Sequence, residues 1–220
     1  MNIERIILAA LIVHITGGTL ALLSGLVAIL TAKGSKPHRK AGKIYFWGMT
    51  AVFIGALILS ILKENNFLLM VGFFSYYMTV RGYRILFLKQ LGKQKPFLID
   101  WFITIISGLF ILALIGWGIY VVSSFHSGMG LVAIAFGGIG STFLIADIKN
   151  FIQGPKEKMH WWFTHLGSMG GSYIAATTAF LVVNVQLPQF NWTLWLLPTV
   201  IGSILIGRSV RKYKVQFGIK

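Results

Sequence analysis

His160 and His165 stand five apart in HWWFTHLGSMGGSYIAATTAF (160–180), inside an otherwise apolar run. An imidazole in such surroundings is a candidate ligand for haem iron, and basic residues beside it can neutralise the propionates. Arg81 and Arg84 in YYMTVRGYR supply that charge, and Tyr77 precedes Arg81 by four and shares its helix face. His14, in LIVHITGG, is a second imidazole in apolar sequence. His165, Arg81, Arg84, His14 and Tyr77 are therefore the candidate cofactor-binding residues, with haem b as the candidate group. Catalytic zinc would need about three N or O ligands and a water, for which His38, His160, His165 and Asp147 form the candidate set. The chain has no cysteine, which excludes disulfides, thiolate metal sites, iron–sulfur clusters and cysteine nucleophiles.

These side chains must be positioned by helices in a membrane. Of the 220 residues, 56% are hydrophobic and only 11% charged, and mean hydropathy is +0.77, outside the range of soluble domains. A net charge of +15 does not signal a nucleic-acid surface, because the basic residues separate hydrophobic runs instead of forming a water-exposed patch. Crossing a hydrocarbon core of about 30 Å takes roughly 20 helical residues. Seven segments qualify, over 6–32, 44–62, 67–88, 99–122, 128–147, 160–185 and 192–208. The first is too long for a signal-peptide core of roughly 7–15 residues, so it is expected to be retained. No soluble domain is inserted, and the chain is expected to be one all-α transmembrane domain.

Charge tests this count. Of the twenty basic residues, all but Arg5 and Lys63 fall in the connections after the first, third and fifth segments, at the end of the third segment leading into its connection, and at the C-terminus. The alternate connections ENN, SSFHSG and QLPQFN carry almost no charge. Adding or removing one helix would scatter the lysines and arginines over both faces. The positive-inside rule therefore predicts seven spans with the N-terminus outside and the C-terminus in the cytoplasm. Anionic lipids on the cytoplasmic face are the expected partners; nothing fixes an oligomer.

Depth follows from a rise of about 1.5 Å per residue. His14 lies roughly 12 Å below the outer surface, Arg81 about 21 Å below it, and His165 about 7–8 Å above the inner one. Arg81 needs a partner or a wet cavity, since a charge in the bilayer costs at least about 2.5–3.5 kcal/mol. Asp147 is its nearest acid in depth, and Asp100 comes second. With His160 at the interface and His38 in the loop KGSKPHRKAGKIY, these groups are expected to line a pocket open to the cytoplasm. His126 stands apart in SSFHSG as a solvated loop residue. Small residues pack the bundle: Gly18, Ala21 and Gly25 in the first helix, Ser168, Ser172 and Ala176 in the sixth, and Gly130, Gly137, Gly138 and Gly140 in the fifth. These three helices are expected to meet in the interior.

HITGGTLALLSG, KPHRKAGKIYFWGM and HLGSMGGSYIAATTAFLVVN resemble an uncharacterised family of bacterial multi-pass membrane proteins, a domain of unknown function. The resemblance covers most of the chain and implies an inner-membrane protein, without a reaction or substrate. Function thus rests on the residues. A haem-binding redox protein is one reading; since His14 and His165 differ by about 10 Å in depth, His38 folding back is the alternative second ligand. A zinc-dependent intramembrane hydrolase is another, and the seven-helix plan looks like the ceramidase and adiponectin-receptor superfamily. Histidines five apart, however, diverge by about 140° on a helix, unlike that group's i, i+4 pair. A binder or transporter of an anionic lipid, quinone or metabolite is a third, and a structural protein whose polar residues only join helices is the fourth.

Overall fold

The computed structural model describes residues 2–185 and 191–219. Most of the QLPQFN connection and Lys220 lie outside the described residues. Seven α-helices follow one another: α1 Ile3–Leu30, α2 Lys36–Leu62, α3 Asn66–Arg84, α4 Leu98–Phe125, α5 Gly128–Gln153, α6 His160–Asn184 and α7 Asn191–Gln216. All but α3 are long and apolar enough to cross a membrane, which makes the chain a multi-pass membrane protein. No strand forms among the described residues.

The exception has a physical reason. α3 packs against α2, α4, α5 and α6 at once, and Phe67, Met70, Phe74, Tyr77, Met78, Thr79, Val80 and Gly82 are buried along it. A helix sheathed by protein need not match lipid, so it can carry two arginines and three tyrosines. The main core lies around it, where Phe74 stacks on Phe136 and Phe67 packs against Trp117 and Trp195.

The connections are turns with identifiable signals. α2 begins eight residues earlier than the apolar run predicts, because Ser35 accepts a hydrogen bond from the His38 amide and Pro37 sits in the first turn. His38 is therefore a helical residue, not the loop residue the sequence reading expects. His126 takes a left-handed conformation (φ 52°) as the C-cap of α4, and Ser127 caps α5. A 3₁₀ turn, Ile85–Phe87, prolongs α3.

Neighbouring helices pair through glycine. An added Cβ at Gly48 of α2 would lie 2.9 Å from the Gly17 carbonyl oxygen and 3.1 Å from the Ala21 amide nitrogen of α1. On the α4 side, Gly130 approaches the Gly118 carbonyl just as closely. The glycine face of α5 is thus covered by α4. α1 meets α2 and α6 but not α5, so the expected convergence of the first, fifth and sixth helices gives way to pairing around α3. Because backbone opposes Gly48 on both counts, nothing there can yield. Gly48→Val is expected to destabilise the fold by about 1–3 kcal/mol. Gly72→Ala, which points into open space, should cost nothing. Thermal unfolding in detergent compares the two.

Candidate functional site

The basic end of the bundle holds two groups of polar side chains. The first centres on α3. Arg81 Nε donates to both Asp147 oxygens at 2.8 Å, and its Nη2 lies 2.8 Å from Oδ1. Its Nη1 donates to Ser168 Oγ at 2.6 Å, and the Tyr77 hydroxyl donates to Asp147 Oδ2 at 2.6 Å. Both members of the pair are 8% exposed. The Arg81 guanidinium also stands 5.0 Å from the Phe143 ring centroid. Asp147 is the acid that depth singles out, and helix spacing brings Tyr77 to it one turn from Arg81.

One turn further, Arg84 Nε and Nη2 donate to Asp100 at 2.7 and 3.1 Å. Asp100 also accepts from the Phe97 amide at the start of α4, so the carboxylate is both a cap and a counter-ion. The two ion pairs border a cavity of about 30 Å³ that Thr104 and Thr164 also line. That is room for one or two water molecules. Both guanidinium groups are matched by carboxylates, so the charge of Arg81 and Arg84, the candidates for a cofactor anion, is balanced inside the protein. Tyr77 is likewise engaged.

A second polar layer, invisible to a search for charged residues, lies deeper. Ser172 Oγ is 2.7 Å from the Tyr45 hydroxyl and 2.6 Å from Thr79 Oγ1, joining α6 to α2 and α3. The serines of α6 are fully buried, and the signal that could have found them is their four-residue spacing, 168 and 172, on the His165 side of the helix.

The histidines form the second group. His165 Nδ1 bonds the Gly82 carbonyl of α3 at 2.7 Å, and His38 Nδ1 bonds the Ala28 carbonyl of α1 at 2.9 Å. Their rings stand 6.3 Å apart, centroid to centroid, at an interplanar angle of 74°. A carbonyl can only accept, so each Nδ1 carries the proton, and in the neutral ring Nε2 keeps its lone pair. Neither Nε2 has a hydrogen-bond partner among the described residues, and no such nitrogen is sealed from solvent. Lys33, in the connection after α1, donates to the Ala28 and Ile29 carbonyls. Desolvation by burial pushes its ammonium below the ordinary lysine range.

The remaining candidates fall elsewhere. His14 Nδ1 bonds the Val52 carbonyl of α2 at 3.0 Å. It lies fourteen residues, about 21 Å of helix rise, from Ala28, so it does not join the other imidazoles. His160 bonds Thr164. The proposed zinc ligands do not assemble: among the described residues no three His, Asp or Glu side chains could hold one metal ion, because Asp147 is committed to Arg81 and Tyr77 while His160 turns to its own helix. Of the eight candidates, geometry brings together His38 with His165, and Tyr77 with Arg81 and Asp147. Comparison with protein-family models, curated proteins and solved structures finds no match for this chain.

Proposed function

We propose that the chain is a bacterial inner-membrane protein of seven spans, N-terminus outside and C-terminus cytoplasmic, that holds haem b between His38 and His165 and serves membrane redox chemistry. The distribution of basic residues supports the orientation, with α3 as the seventh, protein-sheathed span. The bacterial inner membrane is the location that the resemblance read in the α1, α2 and α6 segments implies.

One observation carries the haem reading: two histidines from different helices, each with Nδ1 anchored on a main-chain carbonyl, have centroids 6.3 Å apart. A metal ion held by both imidazoles, with metal–nitrogen bonds of about 2 Å, would need centroids roughly 6 Å apart. The carbonyl bond is the outer-shell contact that fixes ring orientation and raises ligand basicity. Gly42, one turn beyond His38, has open space where a side chain would stand, which leaves a bare helix face for a flat macrocycle. Arg39 and Lys40 are exposed beside His38 and suit propionates. When bound, the group supplies one-electron transfer. The same basic rim, with Lys36 and Lys43, favours anionic lipid headgroups by about 1 kcal/mol per charge.

Titration of detergent-purified apoprotein with haemin tests the site: uptake is expected to saturate at about one per chain, and a chain that takes up none overturns the reading. The absence of native cysteine makes the orientation testable too. A single cysteine at Lys36 should resist an impermeant maleimide added to intact cells, whereas one at Ser127 should react.

A further inference from the structure

A second cavity, of about 280 Å³, lies among α3, α5, α6 and α7. It approaches the roughly 300 Å³ at which small-molecule pockets begin. One wall is aromatic: Phe74 and Phe136 stack 5.3 Å apart at 14°, with Phe143 beyond them. On α6 and α7 the lining includes Gly167 and Gly207, where an added Cβ would meet open space. Thr199 and Ser203 of α7, one turn apart, also line the cavity. Neither hydroxyl has a hydrogen-bond partner among the described residues. On the same two helices Thr177, Thr178 and Ser209 each bond the carbonyl four residues back, which is how a hydroxyl is satisfied in lipid.

We infer that this cavity binds the head group of a lipid-soluble quinone. A flat ring fits between an aromatic wall and two glycines, and its carbonyl oxygens accept from the Thr199 and Ser203 hydroxyls. A saturated acyl chain would fill the same volume but needs neither flat walls nor donors. Ser203 and Gly207 are exposed on α7, so the site is open along that helix and its ligand arrives through the lipid phase. The inference stands on this cavity alone and does not require haem at His38 and His165.

The test is titration of the protein in nanodiscs with decylubiquinone, read as saturable quenching of tryptophan fluorescence, with Trp195 on α7 as the reporter. Thr199→Val, which keeps the side-chain shape, and Ser203→Ala should each weaken binding about three- to tenfold. Gly207→Leu should abolish it by filling the cavity, with thermal unfolding as the check on its fold. Undiminished affinity in the two hydroxyl variants, or equal displacement by palmitate methyl ester, would mean that the cavity holds an acyl chain and would overturn the inference. An absence of saturable quenching in the wild type would overturn it as well.

Discussion

Asp147→Ala is expected to be the most damaging single substitution in the chain, lowering stability by about 3–5 kcal/mol. The carboxylate it removes is the counter-ion of Arg81 and the acceptor for Tyr77, in a place where Arg81 is 8% exposed. Attraction between the two charges, strengthened by the low dielectric, offsets the cost of taking both out of water. Without Asp147 the guanidinium keeps the desolvation cost and loses that compensation, with neutral hydroxyls such as that of Ser168 as its remaining polar partners. A helix forced to hold an unpaired charge there must open to water or to headgroups. Jointly replacing the pair, Arg81→Met with Asp147→Leu, removes both charges and should recover much of the loss, because buried ion pairs give little net stability over well-packed apolar residues. Asp100→Ala should cost less, since Arg84 is 26% exposed and can reach solvent. Unfolding in detergent, followed by far-ultraviolet circular dichroism, ranks the four proteins. Equal midpoints for the Asp147 and Asp100 variants would contradict this account of Arg81.

The second large effect is expected at the histidine pair. His165→Ala should abolish bis-histidine haem ligation, and His38→Ala should leave a five-coordinate, high-spin haem of much weaker affinity. The asymmetry follows from position. His165 lies in the second turn of α6, bonded to the Gly82 carbonyl of α3, whereas His38 occupies the first turn of α2, where helix ends fray. His14→Ala should leave the spectrum unchanged, because its ring is bonded to Val52 about 21 Å of helix rise away from the Ala28 level. A loss of signal in His14→Ala equal to that in His165→Ala would show that haem sits elsewhere in the bundle. Thermal unfolding of each variant separates loss of a ligand from loss of the fold: His14 joins α1 to α2, so its removal can lower stability without touching ligation.

How much of this was legible in the sequence depends on what kind of information each residue carries. Helix positions were readable because hydrocarbon thickness sets a length that apolar runs must meet. Arg81 and Asp147 were readable as partners because depth is a one-dimensional coordinate that 1.5 Å per residue converts from position. Depth says nothing about which neighbour a helix faces. That is why the sequence predicts that the first, fifth and sixth helices converge, although α1 meets α2 and α6 but not α5. α3 carries its own clue in hindsight: its tyrosines and arginines suit a helix without lipid on its sides. The start of α2 was legible in principle from Ser35 and Pro37, a cap and a first-turn proline, but the lysines around them resemble an ordinary charged loop. His38 therefore reads as a loop residue in the sequence, and its closeness to His165 is a matter of tertiary geometry that no spacing along the chain encodes. Ser168 and Ser172 were seen only as small packing residues, although their hydroxyls join α6 to Arg81, Tyr45 and Thr79.

An absorption spectrum of the detergent-purified wild-type chain, oxidised and then dithionite-reduced, with iron analysis on the same sample, tests the central claim most directly. A Soret band, the sharp visible bands of a six-coordinate low-spin b-type haem on reduction and about one iron per chain are the expected result. A folded, monodisperse protein that shows no Soret band, carries no iron and takes up no added haemin would contradict it.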